Sequence, residues 1–302
     1  MQIQEIKKFS DEINSKFYFD FDLKKSNGFN IGGKTKVYFK VESLADLVLF
    51  LKRFGIKERI YVLGAGSNIL ISDGIFDGIV IKLGKSFSNI SLLPNNIIIA
   101  GSSCTDKKLS DFALENEIGG LEFLACIPGT IGGGLKMNAG CFNKEFKDIL
   151  VSIQAIDREG RVITIPANKI LFEYRKNDLA EDLIFLSASF KGEKKKQSDI
   201  KKKVEELKTK KESSQPTKIK TSGSTFKNPL SQTDKKVWEL IKDSVPLDQS
   251  FGDACISEKH CNFFVNKGDA KFEDMKKLID FVTKKVLEKT GISLEKEIKI
   301  LE

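Results

Sequence analysis

Residues Gly28-Phe29-Asn30-Ile31-Gly32-Gly33-Lys34-Thr35 match the phosphate-cradling P-loop pattern at every position. A P-loop needs a buried strand before the glycines and a helix after them, so that helix-terminal amides surround phosphate. Here the preceding residues are polar (Lys24, Lys25, Ser26, Asn27). The following ones alternate, Val37, Phe39 and Val41 against Lys36, Tyr38 and Lys40. That alternation predicts a half-buried strand, so the motif lacks its helix and nucleotide hydrolysis is rejected. Gly64-Ala65-Gly66 follows the short apolar run 60–63 and could open a dinucleotide fingerprint, but Ile69 occupies the place of the third glycine and more strand-like sequence follows. What survives is a loop with bare backbone amides, suited to close approach of a pyrophosphate. A second glycine-dense stretch runs from 119 to 140.

Other chemistry is sparse. The five cysteines (Cys104, Cys126, Cys141, Cys255, Cys261) form no Cys-x-x-Cys pair, and His260 is the single histidine. This pattern predicts reduced thiols and argues against a disulfide frame, a zinc knuckle or any histidine-rich metal site. The net charge of +8 could attract anionic ligands. However, only Arg53, Arg59, Arg158, Arg161 and Arg175 among the fifty basic residues are arginines, so most of the charge reads as solvated lysine surface. No stripe of arginine and aromatics marks a nucleic-acid face. The N-terminus has no signal pattern and the longest apolar run, 47–51, is far short of a membrane span. A cytoplasmic monomer without membrane or nucleic-acid partners is expected.

The elements that must position these loops can be read from periodicity. Leu44, Leu47, Val48 and Leu51 recur at helical spacing before Gly55. Strand-like runs follow at 60–63, 69–71, 79–83, 90–93 and 97–100, separated by turn residues. A helical pattern carries Leu109, Phe112 and Ala113. Strands return at 150–156, 162–165 and 183–190. After the lysine run 194–196 comes an amphipathic helix with Ile200, Val204 and Leu207 on one face. A second helix carries Met275, Leu278, Ile279, Val282 and Val286 and stops at Gly291, and a final strand is expected over 294–301. The 302-residue length allows two or three compact units.

The chain resembles the UDP-N-acetylenolpyruvoylglucosamine reductase family over nearly its whole length. Seven segments agree in order: Phe29-Asn30-Ile31-Gly32-Gly33; Val62 through Leu70; Gly120-Leu121-Glu122-Phe123 through Ile127-Pro128-Gly129-Thr130-Ile131-Gly132-Gly133 with Met137-Asn138-Ala139-Gly140; Tyr174-Arg175; Gly223-Ser224-Thr225-Phe226-Lys227-Asn228-Pro229; Ser257-Glu258-Lys259-His260; and Leu294-Glu295-Lys296-Glu297. The short interval between Tyr174 and Gly223 resembles the shorter variant, without an inserted subdomain.

The resemblance implies an α+β fold. A two-lobed FAD-binding domain of the vanillyl-alcohol-oxidase-like (PCMH) type would cover 1–196, with lobes of roughly 1–68 and 69–196, and a C-terminal α+β substrate-binding domain would cover 197–302. It implies FAD contacts from Gly64, Ala65, Gly66, Ser67, Asn68, Pro128, Gly129, Thr130, Gly132, Gly133, Asn138 and Gly140. Because His260 lies outside the flavin lobes, the FAD is expected to be non-covalent. NADPH would be the co-substrate and an enolpyruvyl UDP-sugar the substrate. Tyr174, Lys227, Asn228 and His260 would bind substrate, Arg175 and Glu297 would polarise its enolpyruvyl group, and Ser224 would protonate the carbanionic carbon. The competing reading is another flavin oxidase or dehydrogenase of the same fold, acting on an alcohol or lactone. A basic binding protein with purely structural glycine loops is the non-enzyme alternative. Lys299 stands where the resemblance leads one to expect arginine, as do Lys210 and Lys211, and there the bidentate fork is lost.

Overall fold

A computed structural model of the chain describes residues 1–217 and 219–302. Two compact units partition it. One comprises Met1–Phe19, Lys36–Ala65 and Asp77–Lys210, and the other Asp20–Thr35, Gly66–Phe76 and Lys211–Glu302. These packing units are discontinuous, unlike the contiguous division at 196 expected from sequence. The cause lies in side chains: Phe29, Ile31 and Leu70, from early in the chain, are buried in one core with Phe226, Ile256 and Phe264.

The first unit holds two cores. In one, the helices Ile3–Ser10 and Leu44–Phe54 cover strands Lys16–Asp22, Lys34–Val41, Ile75–Leu83 and Ile60–Val62. Leu47, Phe50, Leu51 and Phe54 lie on one helical face at the three- and four-residue spacing that buries a stripe. The Ser43 hydroxyl accepts from the Asp46 amide and caps that helix, satisfying a donor that has no intrahelical partner. Phe17 stacks on Phe39 with ring centroids 4.1 Å apart. The other core fills between an antiparallel five-stranded sheet and the helices Asp106–Glu115 and Ile131–Lys136. The sheet order is Val162–Pro166, Leu150–Ile156, Ile184–Lys191, Ile97–Gly101, Ile90–Leu93.

In the second unit, the helices Val237–Ser244 and Phe272–Thr290 pack on the antiparallel strands Ser250–Phe251, Ala254–Ile256 and Phe264–Asn266. Gly291 ends the longer helix in the left-handed conformation (φ 72°), where a side chain would be strained. The final strand is shorter than expected. Only Lys299–Leu301 is regular, pairing in parallel with Ile69–Ile71. The residues before it instead follow the 225–227 backbone, through a Phe226–Lys296 bridge and a Lys227 amide bond to the Glu295 carbonyl of 2.9 Å. Among the described residues no helix is long and apolar enough to cross a membrane.

Candidate flavin and substrate site

The rejected P-loop segment turns out to buttress the first glycine loop, 64–66. A strand, Lys34–Val41, leaves it as the alternation predicted. The Gly28 amide donates to the Gly66 carbonyl at 2.9 Å. Gly66 has φ 72°, and a Cβ there would collide with the Ser26 carbonyl, so only glycine fits. Among the described residues the amides of Gly64, Ala65, Gly66 and Ser67 have no hydrogen-bond acceptor. Asn68 is anchored differently, its side-chain amide donating to the Glu297 carbonyl at 3.1 Å.

Within the first unit, the two glycine-rich stretches meet. A Cβ built on Gly64 would lie 2.9 Å from the Thr130 hydroxyl oxygen, and Gly133 has only that hydroxyl near its own Cβ position, at 3.5 Å. Thr130 precedes the helix Ile131–Lys136 yet makes no side-chain capping bond. The neighbouring glycines have a different reason to be glycine. A Cβ on Gly134 would enter the Phe146 ring, one on Gly129 would come within 2.6 Å of an Asp106 carboxyl oxygen, and one on Gly140 would strike the Lys144 carbonyl. Gly132 sits against Ser102. Gly64 and Gly133 therefore both face the Thr130 hydroxyl, whereas the others pack against a ring, a carboxylate, backbone or Ser102. Pro128 is exposed ahead of them. Within the first unit, the unpartnered amides of Gly64 and Ala65 and the Thr130 hydroxyl near Gly64 form a donor set suited to a dinucleotide's diphosphate.

Tyr174 and Arg175 form the two-residue turn of a hairpin in which Glu173 pairs with Lys176. Arg175 adopts φ 57°, an unusual conformation for a residue with a side chain. Its guanidinium donates to the Gly140 carbonyl (2.6 Å), the Asn138 carbonyl (3.4 Å) and a Glu145 carboxylate oxygen (3.3 Å), and lies 4.8 Å from the Tyr174 ring centroid. The Asn138 side chain is fully buried and spoken for: it donates to Glu145 and to the Glu173 carbonyl, and accepts from the Lys147 amide. Asn138 and Gly140 thus tie the second glycine stretch to the Arg175 turn. Glu145, the acid that holds both Arg175 and Asn138, was missed in the sequence. Nothing in its type or spacing distinguishes it from a surface glutamate; only its pairing opposite Gly140 does.

Ser224 and Glu297 lie together in the second unit. The Glu297 amide donates to the Thr225 carbonyl at 2.8 Å, the Thr225 amide to the Asn262 carbonyl at 2.8 Å, and Ser224 bridges Phe263. Gly223 turns the chain into this segment with φ 79°. The half-buried Ser224 hydroxyl has no hydrogen-bond partner among the described residues, so it is available to a ligand. Lys227 pairs with Glu295 at 2.6 Å, the lysine being 15% exposed and the glutamate 73%. The Asn228 side-chain oxygen accepts from the Val237 amide at the start of a helix.

His260 packs against Phe263 (4.9 Å) and Trp238 (6.4 Å), and its Nδ1 accepts from the Asn262 amide at 3.3 Å. Burial pushes its pKa below the ordinary 6.5, because the charged ring would be desolvated. The unfolded chain therefore binds a proton at higher pH than the folded one, and stability should fall as pH drops through about 6.5, levelling below the folded pKa. As the sole histidine, His260 gives one imidazole NMR titration, and a folded pKa at or above the ordinary value would refute its burial in the neutral form.

Three further groups, the buried Asp106 and Ser102 and the half-buried Lys82, escaped the sequence reading. Among the described residues, both carboxyl oxygens of the fully buried Asp106 lack partners, as does the Ser102 hydroxyl, and burial raises the Asp106 pKa well above the usual carboxylate range. The cost of desolvating its charge favours the neutral form of this acid. Lys82, on the strand Ile75–Leu83, donates its amine to the Gly64 carbonyl. Among the described residues no cluster of three metal-ligating side chains occurs.

Residues 215–301 match the model of the UDP-N-acetylenolpyruvoylglucosamine reductase C-terminal domain, and residues 35–166 match an FAD binding domain. A UDP-N-acetylenolpyruvoylglucosamine reductase of Pelagibacter ubique is 75% identical over the full length of both chains. That of Rickettsia conorii is 45% identical over 95% of this chain and 96% of its own. The crystal structure of the UDP-N-acetylenolpyruvylglucosamine reductase from Thermus caldophilus superposes with a TM-score of 0.81 at 27% identity, covering 96% of this chain and 99% of that one.

Proposed function

This chain belongs to the UDP-N-acetylenolpyruvoylglucosamine reductase family and is an FAD-dependent oxidoreductase, and on that premise we propose how its residues divide the reaction. The substrate is UDP-N-acetylglucosamine enolpyruvate, which is reduced to UDP-N-acetylmuramate, a peptidoglycan precursor. The enol ether double bond is electron-rich and resists hydride until the charge of the adjoining carboxylate is offset. When bound, FAD supplies the hydride, drawn from NADPH, to the methylene carbon. Gly64, Ala65, Gly66, Ser67, Thr130 and Gly133 hold the cofactor through backbone amides and the Thr130 hydroxyl. Pro128, Gly129, Gly132, Asn138 and Gly140 shape the second loop, and Asn68 ties the first to the Glu297 backbone.

Arg175 and Glu297 polarise the enolpyruvyl group, and Ser224 gives its proton to the carbon that carries developing negative charge. A serine hydroxyl is a weak acid, so the role requires a strongly basic acceptor, which an enolate-like carbon provides. Tyr174, Lys227, Asn228 and His260 complete the substrate contacts. The observation that carries this assignment is the unpartnered Ser224 hydroxyl on a backbone bonded to that of Glu297. The functional division into an FAD-binding domain at 1–196 and a substrate-binding domain at 197–302 is supported by the two family matches, which lie on either side of that boundary.

The test is a visible spectrum of the purified protein before NADPH, after it, and after the enolpyruvyl substrate. The flavin bands should bleach with NADPH under anaerobic conditions and return with substrate. Acid precipitation should release the flavin, since the sole histidine, His260, is not part of either glycine-rich stretch. Bleached bands that return only with oxygen would favour the oxidase reading and end this one.

A further inference from the structure

We propose that Lys82 is the counter-charge for the diphosphate of the bound flavin, an inference that rests on the reading of the chain as an FAD enzyme. The strand Ile75–Leu83 runs parallel to Ile60–Val62 with Ile81 opposite Val62, and the Leu63 amide donates to the Ile81 carbonyl at 2.9 Å. This register carries residue 82 alongside the start of the first glycine loop. There the half-buried Lys82 amine donates to the Gly64 carbonyl. Among the described residues no carboxylate lies within ion-pair distance of that amine, unlike the paired lysines elsewhere on the chain.

An ammonium has three donors, and one neutral carbonyl satisfies only one of them. Burial without a counter-ion also lowers the Lys82 pKa. Such a desolvated cation is favourable only where an anion is to be met. The surroundings agree: the amides of Gly64 and Ala65 lack acceptors, and the Thr130 hydroxyl lies 2.9 Å from the Gly64 Cβ position. A half-buried cation, bare amides and a hydroxyl, with no protein anion among them, suit the doubly charged diphosphate better than the neutral oxidised ring or the ribityl hydroxyls.

The experiment titrates the flavin-stripped full-length chain with FAD and with riboflavin, following flavin fluorescence, for the native protein, Lys82→Met and Lys82→Arg. Loss of a charge-assisted contact should weaken FAD binding by about 10- to 100-fold in Lys82→Met. Riboflavin, which has no phosphate, should bind both equally, and Lys82→Arg should stay near native. The FAD affinity of Lys82→Met should also depend less steeply on salt. Equal FAD affinity in the native protein and Lys82→Met overturns the proposal. So does equal weakening for riboflavin, which would place the charge at the ring. If Lys82→Met does not fold, Lys82→Gln, which can keep the bond to the Gly64 carbonyl, carries the same comparison. Failure of the native chain to take up FAD would instead sink the cofactor reading itself, so the two failures are distinguishable.

Discussion

Ser224→Ala should bind FAD and accept electrons from NADPH at near-normal rates, while its reoxidation by the enolpyruvyl sugar nucleotide slows by about 10²- to 10⁴-fold. The asymmetry follows from what the hydroxyl touches. It has no partner among the described residues, so its removal leaves no protein donor or acceptor unsatisfied. The turn beside it is held by the Gly223 conformation and the Thr225 backbone bonds, which alanine leaves intact. Substrate reduction, however, ends with a carbanionic carbon that needs a positioned acid. Ser224→Cys, whose thiol is more acidic, should recover part of the rate. Stopped-flow absorbance separates the two half-reactions. Normal reoxidation of the alanine variant by substrate would remove Ser224 as the proton donor, and equal damage to both halves would make it an architectural residue.

Arg175→Lys should slow the same oxidative half-reaction by about 10²- to 10³-fold, the usual cost of losing one preorganised stabiliser of developing charge. Lysine keeps the positive charge beside Glu145 but loses the planar fork that reaches the Gly140 and Asn138 carbonyls together with the carboxylate. Arg175→Ala goes further and leaves Glu145 without this partner, at 17% side-chain exposure, which should cost about 1–3 kcal/mol of stability. The competing role is a clamp on the loop that carries Asn138 and Gly140. A clamp alone predicts weaker FAD binding and a lower Tm in Arg175→Lys, with substrate-driven reoxidation unchanged once the variant is saturated with FAD. The half-reaction measured at saturating FAD therefore decides between chemistry and scaffolding.

Much of this molecule is legible along the chain because the relevant signals are local. Alternation around Val37, Phe39 and Val41 marks a strand, and that alone is enough to discard a P-loop match with every letter in place. The glycines at 64–66 and 129–133 mark backbone that something must approach closely, and the ordered segments around them carry the family resemblance. Long helices are read correctly where the apolar stripe persists, as in Phe272–Thr290, with Gly291 as its stop. The short helix Val237–Ser244 shows its buried stripe, Val237, Leu240 and Ile241, over too few turns to stand out. Residues 294–298 have strand-like composition, yet their backbone groups pair with the 225–227 segment, and composition does not encode the choice of partner.

What chain-distant contacts decide is which residue of a given type matters. Gly129 and Gly134 make room for Asp106 and Phe146, whereas Gly64 and Gly133 face the Thr130 hydroxyl, a distinction invisible in a run of identical letters. Glu145 becomes the partner of Arg175 and Lys82 that of the Gly64 carbonyl only because hairpin register and strand order carry them there. The backbones of Ser224 and Glu297, more than seventy residues apart, are linked because the last strand pairs with Ile69–Ile71. Secondary structure follows from side-chain periodicity over a few residues. Burial and pairing, which turn ordinary lysines, acids and hydroxyls into site residues, depend on distances that only the closed packing of remote segments sets.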